Sequence, residues 1–309
     1  MKPIIEPISR ELIEKELTAD RFIRMTNNSN NHIYIFNAHN APNLMLELGR
    51  VRELTFRNAG GGTGKEVDID EYDTAEIPFE QLIVWNPEEK EIVSAYRYIL
   101  GHNIKFDSHG QPLSPTAHLF EYSPEFIANH LPYTIELGRS FVQTQYQPSV
   151  NLRKGLFALD NIWDGLGALV VLNPEMKYFF GKMTMYNDYP RDARDMILFV
   201  LKKYFGDTEH LVYPINAKEI HTPLENLEAI FIGNTMEEDF KILNTNVRQH
   251  KVSIPPLINI YMGLTTTMKC FGTSANEGFG PVEETAIMVK IADIYPAKTD
   301  RHINSFTKK

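Results

Sequence analysis

With 309 residues, 43% hydrophobic and 23% charged, the chain is long enough to bury a sizeable core and has the make-up of an ordinary globular protein. Its net charge of −9 excludes nucleic-acid binding driven by the charge of the whole protein. The single cysteine, Cys270, excludes an intrachain disulfide or a multi-cysteine metal centre and fits a reducing, cytoplasmic setting.

The N-terminal MKPIIEPISRELIEKE lacks the apolar core of a signal peptide. Leu12, Ile13 and Leu17 give a first helix over 9–17, a polar loop follows, and HIYIF (32–36) reads as a short strand. Leu44, Leu46, Leu48, Val51 and Leu54 predict an amphipathic helix from Ala41 to Arg57, ended by three glycines. The strands 81–86 and 91–101, joined by the polar turn Pro87-Glu88-Glu89-Lys90, form an antiparallel hairpin. A Gly/Pro/Ser-rich loop then leads through a short helix near 124–130 to a strand, TIELGRSFV (134–142). The apolar stretch 156–172 is interrupted by Asp160 and Asp164, so it reads as a buried helix rather than a membrane span. YFFGKMTMY (178–186) is a further strand. Next comes a regular helix in which Ala193, Met196, Ile197, Val200, Leu201 and Tyr204 share one face, closed by Gly206. A helix near 235–250, a Pro-Pro break at 255–256 and a strand over 284–294 complete a mixed order that predicts an α/β or α+β fold with a partly antiparallel sheet.

GGGTGK (60–65) has Ala59 where a nucleotide-binding phosphate loop needs its first glycine and Glu66 where it needs Ser or Thr, so it reads as a mobile loop. VDIDEYD (67–73) packs four carboxylates into six residues. Taken alone it is a solvated acidic turn, and in a functional reading it is a cluster that attracts an amine. Glu136 and Arg139 lie in an otherwise apolar strand, where unpaired burial would cost several kcal/mol. At i and i+3 they face opposite ways unless a bulge near Gly138 re-aims one of them; they either serve a site or form an ion pair with Arg97 or Asp70. QPSVNLRKG (147–155) joins a strand to a helix, where backbone N–H groups together with Arg153 and Lys154 suit a phosphate. The histidines show no metal-binding spacing, and no metal is expected.

In order, Arg52-x-x-x-Phe56, Asp70-x-x-Asp73, Arg97 and Glu136-x-x-Arg139 resemble the bacterial ornithine- and glycine-lipid N-acyltransferases, often labelled haemolysin-like. More distantly they resemble the acyl-homoserine-lactone synthases, both groups being branches of the GNAT superfamily. The similarity runs over about 40–295 and departs from the family at the coenzyme A signature, where Leu152 replaces Gln or Arg and Phe157 replaces a small residue. It implies a three-layer αβα domain with a mixed, largely antiparallel central sheet. In that reading residues 1–40 are an N-terminal extension, 41–206 the GNAT-like core and 207–309 a C-terminal elaboration completing the same domain.

The resemblance further implies transfer of a (3-hydroxy)fatty acyl group from a phosphopantetheine thioester to a small amino acid such as glycine or ornithine, in aminolipid synthesis. The donor is an acyl carrier protein or acyl-CoA, and no cofactor is held permanently. Glu136 is the expected general base, within a charged network of Arg52, Asp70, Asp73, Arg97 and Arg139 flanked by Phe56. Gly138, Ser140, Phe141, Arg153, Lys154 and Gly155 are expected to hold the pantetheine thioester, which would enter between the strands at 134–142 and 178–186. An acidic carrier would dock on Arg153, Lys154, Lys177, Lys182, Arg191 and Arg194, and 254–272 is a candidate for contact with the inner membrane face. The competing readings are an acetyl-CoA-dependent N-acetyltransferase with a short pocket and a non-enzymatic lipid-binding or haemolysin-like protein.

Overall fold

The computed structural model describes residues 1–307; the last two of the segment 207–309 lie outside the described residues. In chain order the elements are α1 (Arg10–Glu16), β1 (Phe22–Met25), β2 (His32–Phe36), α2 (Pro42–Asn58), α3 (Glu71–Thr74), β3 (Glu80–Asn86) and β4 (Glu91–Leu100). Then come β5 (Phe120–Tyr122), β6 (Thr134–Val142), α4 (Leu152–Gly155), α5 (Ala158–Leu172), β7 (Tyr178–Tyr186) and α6 (Arg191–Phe205). The chain ends with β8 (Val212–Pro214), α7 (Leu224–Ile230), α8 (Met236–Gln249), α9 (Pro256–Met262), β9 (Lys269–Asn276), β10 (Val282–Lys290) and α10 (Pro296–His302).

These elements form two compact units. Unit 1 comprises Met1–Lys105, Tyr133–Lys177 and the chain from Pro296; unit 2 comprises Phe106–Pro132 and Tyr178–Tyr295. Residues 1–40, read from the sequence as an extension, supply α1, β1 and β2 to unit 1.

In unit 1 the antiparallel order is β1-β2-β3-β4-β6. Residues Gln81–Trp85 of β3 are all buried, because helices cover both faces of the sheet. Gln81 lies opposite Arg97 and meets Arg52 of α2, which places α2 on that face. Leu82 points the other way, against Gly165 of α5, and the Ser94 hydroxyl donates to the Ala158 carbonyl on the same side. Unit 1 is therefore the expected αβα layering. The apolar α5 is its core helix: Ala158, Ile162, Leu166, Ala168 and Leu169 are buried.

The glycine-rich loop is fixed by hydrogen bonds, which corrects its reading as mobile. Gly62 and Gly64 adopt positive φ (96° and 73°), a region open to glycine. The Thr63 N–H and hydroxyl and the Gly64 N–H converge on the buried Glu53 carboxylate at 3.0, 2.7 and 2.8 Å. Burial pushes that carboxyl up, but these donors and Arg57 more than offset it and leave its pKa below the ordinary value.

In unit 2, β10 pairs with β7 along nine residues and with β9 on its other edge. The apolar face of α6 (Ala193, Met196, Ile197, Val200, Leu201) is buried, as its spacing predicts. The segment 254–272 is α9 and the start of β9, with Ile254, Ile258, Tyr261, Met262, Leu264, Met268 and Phe271 interior. Most of its hydrophobic side chains are thus spent on the core of this unit, with Leu257 and Ile260 half-buried.

Candidate active site

The site begins at a break in the β4–β6 ladder. Ala95 pairs with Phe141 and Arg97 with Gly138, so β6 advances three residues while β4 advances two. That is a β-bulge, with Arg139 and Ser140 lacking register partners on β4 and Arg139 at φ 48°. A non-glycine residue in the left-handed region is held there by its surroundings. The surroundings here are ionic. Arg139 Nε lies 2.8 Å from Asp68 Oδ2, and its Nη2 lies 3.6 Å from Asp70 Oδ2.

In a regular strand Arg139 would face away from Gly138. The bulge turns it to the side on which Arg97 crosses Gly138, with Arg97 Nε 3.6 Å from the position a Cβ would take there. Glu136, two residues before Gly138 and opposite Ile99, faces the same way and is 1% exposed. A bulge at this place was the condition under which Glu136 and Arg139 could share a face.

Four carboxylates crowd 68–73, and the turn is not solvated. Asp68 and Asp73 are fully buried, because the opposing charges come from elements far away in sequence. Arg52 Nη1 donates to Asp73 Oδ2 (3.2 Å) and to the Asp68 carbonyl (3.3 Å), and its Nη2 donates to Gln81 Oε1. Arg97 Nη1 spans both Asp70 oxygens (2.7 and 2.8 Å) and reaches Asp73 at 3.2 Å. Asp70 also caps α3 in a reciprocal box with Asp73, so α3 is pinned at both ends of its single turn. Burial alone would raise the Asp73 carboxyl, yet Arg52 and Arg97 hold it at about 2. The three arginines and three aspartates balance.

Arg52 and Asp73 have no exposed surface, so they act on anything entering the site only through their neighbours. Phe56 meets Phe141 edge-on at 6.0 Å, which fixes the first residue after the bulge against α2. Sequence reasoning missed Gln81, Tyr72 and Phe79. Gln81 joins Arg52 to Asp73, and the rings of Tyr72 and Phe79 lie 5.9 and 5.3 Å from the Arg97 guanidinium. A lone Gln inside QLIVW was the available signal, since a buried amide needs partners. Burial, with Glu71, Asp70 and Glu136 nearby, pushes the Tyr72 phenol far above its ordinary range and keeps it protonated.

The segment expected to hold the donor's phosphate is tightly turned. A Cβ on Gly155 would stand 2.5 Å from Pro148 N, so only glycine closes the turn. The Asn151 side chain caps α4, and Lys154 is drawn to Glu89 (3.0 Å) over the Tyr146 ring. Arg153 remains exposed, between Leu152 and Leu156, which are 71% and 61% exposed.

The expected basic docking surface does not form as read. Lys182 is sunk against Thr116 and Glu284, and Arg194 is buried against Asp195 and Glu283, each drawn inward by a carboxylate of unit 2.

A model of the GNAT acetyltransferase domain matches residues 51–154, the stretch that contains every charged residue of the site. The chain is 54% identical over all 309 residues to the glycine N(alpha)-acyltransferase of Phocaeicola vulgatus, spanning 95% of that protein. It is 55% identical over 306 residues to the glycine N(alpha)-acyltransferase of Bacteroides thetaiotaomicron, 99% of this chain and 91% of that one. Among solved structures, FeeM, an N-acyl amino acid synthase from uncultured soil microbes, aligns over 85% of this chain and 93% of its own. At 9% identity and a TM-score of 0.38, that likeness is too loose to bear on residue roles. With more than half its residues shared along its whole length, the chain belongs to the family of these glycine N(alpha)-acyltransferases and is a GNAT-domain acyltransferase.

Proposed function

We propose that the chain moves a (3-hydroxy)fatty acyl group from the phosphopantetheine thioester of an acyl carrier protein to the amino group of glycine, as a step of aminolipid synthesis. The acceptor follows from the names of the two relatives. The observation that carries the mechanism is the buried carboxylate of Glu136 beside the bulge at Arg139 and Ser140. The amine of glycine is mostly protonated at neutral pH and must lose a proton before it attacks. Glu136 takes that proton, directly or through water, a role worth about 10²–10⁴ in rate. The freed nitrogen lone pair forms the C–N bond, a backbone N–H of the bulge steadies the oxyanion, and the C–S bond breaks as the leaving thiolate takes up the second proton that the nitrogen sheds, giving the amide and the pantetheine thiol.

Arg52, Asp73 and Arg97 position this strand rather than touch the reacting atoms, and Arg139 holds the bulge open. The loss of the coenzyme A signature at Leu152 and Phe157 supports the carrier donor. With the basic surface dispersed, its docking rests on exposed Leu152 and Leu156 beside Arg153.

The test is to incubate the protein with 3-hydroxyacyl carrier protein or 3-hydroxyacyl-CoA and a panel of amino acids, with products read by mass spectrometry. Acylglycine from the carrier is expected, and Glu136→Gln should fold normally and lose at least a hundredfold in rate. Equal turnover of acetyl-CoA would sink the long-chain reading, and wild-type rates for Glu136→Gln would remove the base.

A further inference from the structure

An amino acid, unlike a simple amine, brings a carboxylate into the site along with its amino group. Asp68, Asp70, Asp73 and Glu136 lie there against Arg52, Arg97 and Arg139, so with Glu136 ionised the set carries one negative charge in excess. An ammonium is drawn in by that excess. A carboxylate needs a cation that it can touch.

Exposure decides which cation that is. The Arg52 side chain has no exposed surface and that of Arg97 is 1% exposed, whereas 17% of Arg139 is exposed. Along β6, Thr134–Leu137 and Phe141 are buried while Gly138, Arg139 and Ser140 are half-buried, so the middle of the strand is open at the bulge. Asp70, 15% exposed and 3.6 Å from Arg139 Nη2, shares this opening.

The guanidinium is also held in a fixed pose. Its Nε is tied to the fully buried Asp68, and the backbone at φ 48° aims the side chain to the face of β6 that carries Glu136. The terminal nitrogens are therefore the end that a ligand meets, and their planar fork suits a carboxylate. The 3.6 Å to Asp70 is longer than a hydrogen bond. Asp70 already accepts two bonds from Arg97, at 2.7 and 2.8 Å, which offsets its charge toward an incoming carboxylate.

We propose that Arg139 receives the carboxylate of the amino-acid acceptor while the amino group stands at Glu136, and that this contact selects amino acids over amines lacking a carboxylate. The assignment rests on transfer to glycine as proposed above and adds the group that chooses the acceptor.

The test compares glycine with glycinamide, which keeps the amine and replaces the carboxylate by an uncharged amide. Both are measured in the acyl-transfer assay and by calorimetric titration of the intact protein without donor. The wild type should favour glycine at least tenfold in kcat/KM and in affinity. Arg139→Gln alone would strand the charge of buried Asp68, so the variant is Arg139→Gln/Asp68→Asn, with Asp68→Asn as its control and circular dichroism as the check on folding. Relative to that control the glycine-to-glycinamide ratio should fall at least tenfold, whatever the overall rate. Arg139→Lys, which keeps Asp68 paired, should lower the same ratio about threefold and carries the test should the double variant not fold. A bulge that had merely collapsed would slow both substrates alike. An unchanged ratio in the folded variants, or a wild type that treats glycine and glycinamide equally, would overturn the assignment. Preferential binding of glycine by a protein that forms no acylglycine would sink the transfer reading alone.

Discussion

Arg97 and Arg194 are both buried guanidiniums held by two carboxylates, yet they sit in differently finished surroundings. Around Arg97, Asp70 and Asp73 take Nη1, two aromatic rings lie beside its plane and Gly138 backs its shaft, while its buried Nε has no hydrogen-bond partner among the described residues. Around Arg194, Glu283, Asp195 and the Glu219 carbonyl take Nε and Nη1, and here the buried nitrogen without a hydrogen-bond partner is Nη2. The first shares Asp73 with a second arginine, Arg52, and the second shares Asp195 with the backbone N–H groups of His221 and Thr222. Each guanidinium leaves one buried nitrogen unmatched, so burial and a donor count do not separate the two, and the neighbours that share their carboxylates do.

That contrast can be broken by substitution. Arg52→Met strips the fully buried Asp73 of one guanidinium and should cost about 3–5 kcal/mol of stability, read from urea unfolding. A loss near 1 kcal/mol would mean that the cluster is wetter than its geometry. Acid should act on the same place. Asp73 is held at about 2 against an ordinary 3.8. A depressed folded pKa gives stability that is complete above the unfolded value and fades as pH falls through the folded one. Stability should therefore decline from pH near 4 toward 2, and Asp73→Asn should flatten that slope in an acid titration followed by circular dichroism. Arg194→Met should be milder, about 1–3 kcal/mol, because Asp195 keeps N–H bonds from His221 and Thr222 at 2.9 and 2.8 Å. A loss equal to that of Arg52→Met would erase the distinction between the two clusters. The smallest effect belongs to Arg191→Ala/Lys218→Ala, which removes two exposed side chains and should leave stability within about 0.5 kcal/mol in the same urea unfolding.

Much of the fold was legible because its long elements follow a single period. The strands at 134–142 and 178–186 and the helix ending at Gly206 lie where their hydrophobic spacing puts them. The short elements were not. β5 and β8 are three residues each, too brief for any period, and β9 was hidden in a run of threonines, small residues and glycine after the Pro-Pro break. In the site, Glu136, Arg139 and the two flanking motifs stood out as charges in apolar settings. The burial of Asp68 did not, since its partners Arg52 and Arg139 are brought to it only by the fold. The same limit applied to the basic surface: Lys182 and Arg194 looked like free cations because Glu284 and Glu283 lie 102 and 89 residues away from them in sequence, although Arg194 also meets its neighbour Asp195.

The loop at 60–65 carries its own lesson. Its glycines arrange amide groups much as a nucleotide-binding loop would, but the anion they enclose belongs to the protein: Glu53 fills the place of a phosphate in cis. The loop's donors are thus satisfied within the chain. Removing that carboxylate leaves the Thr63 and Gly64 donors unpaired. Glu53→Ala is expected to lose stability in dilute buffer and to regain part of it, by chemical complementation, as sulfate is added.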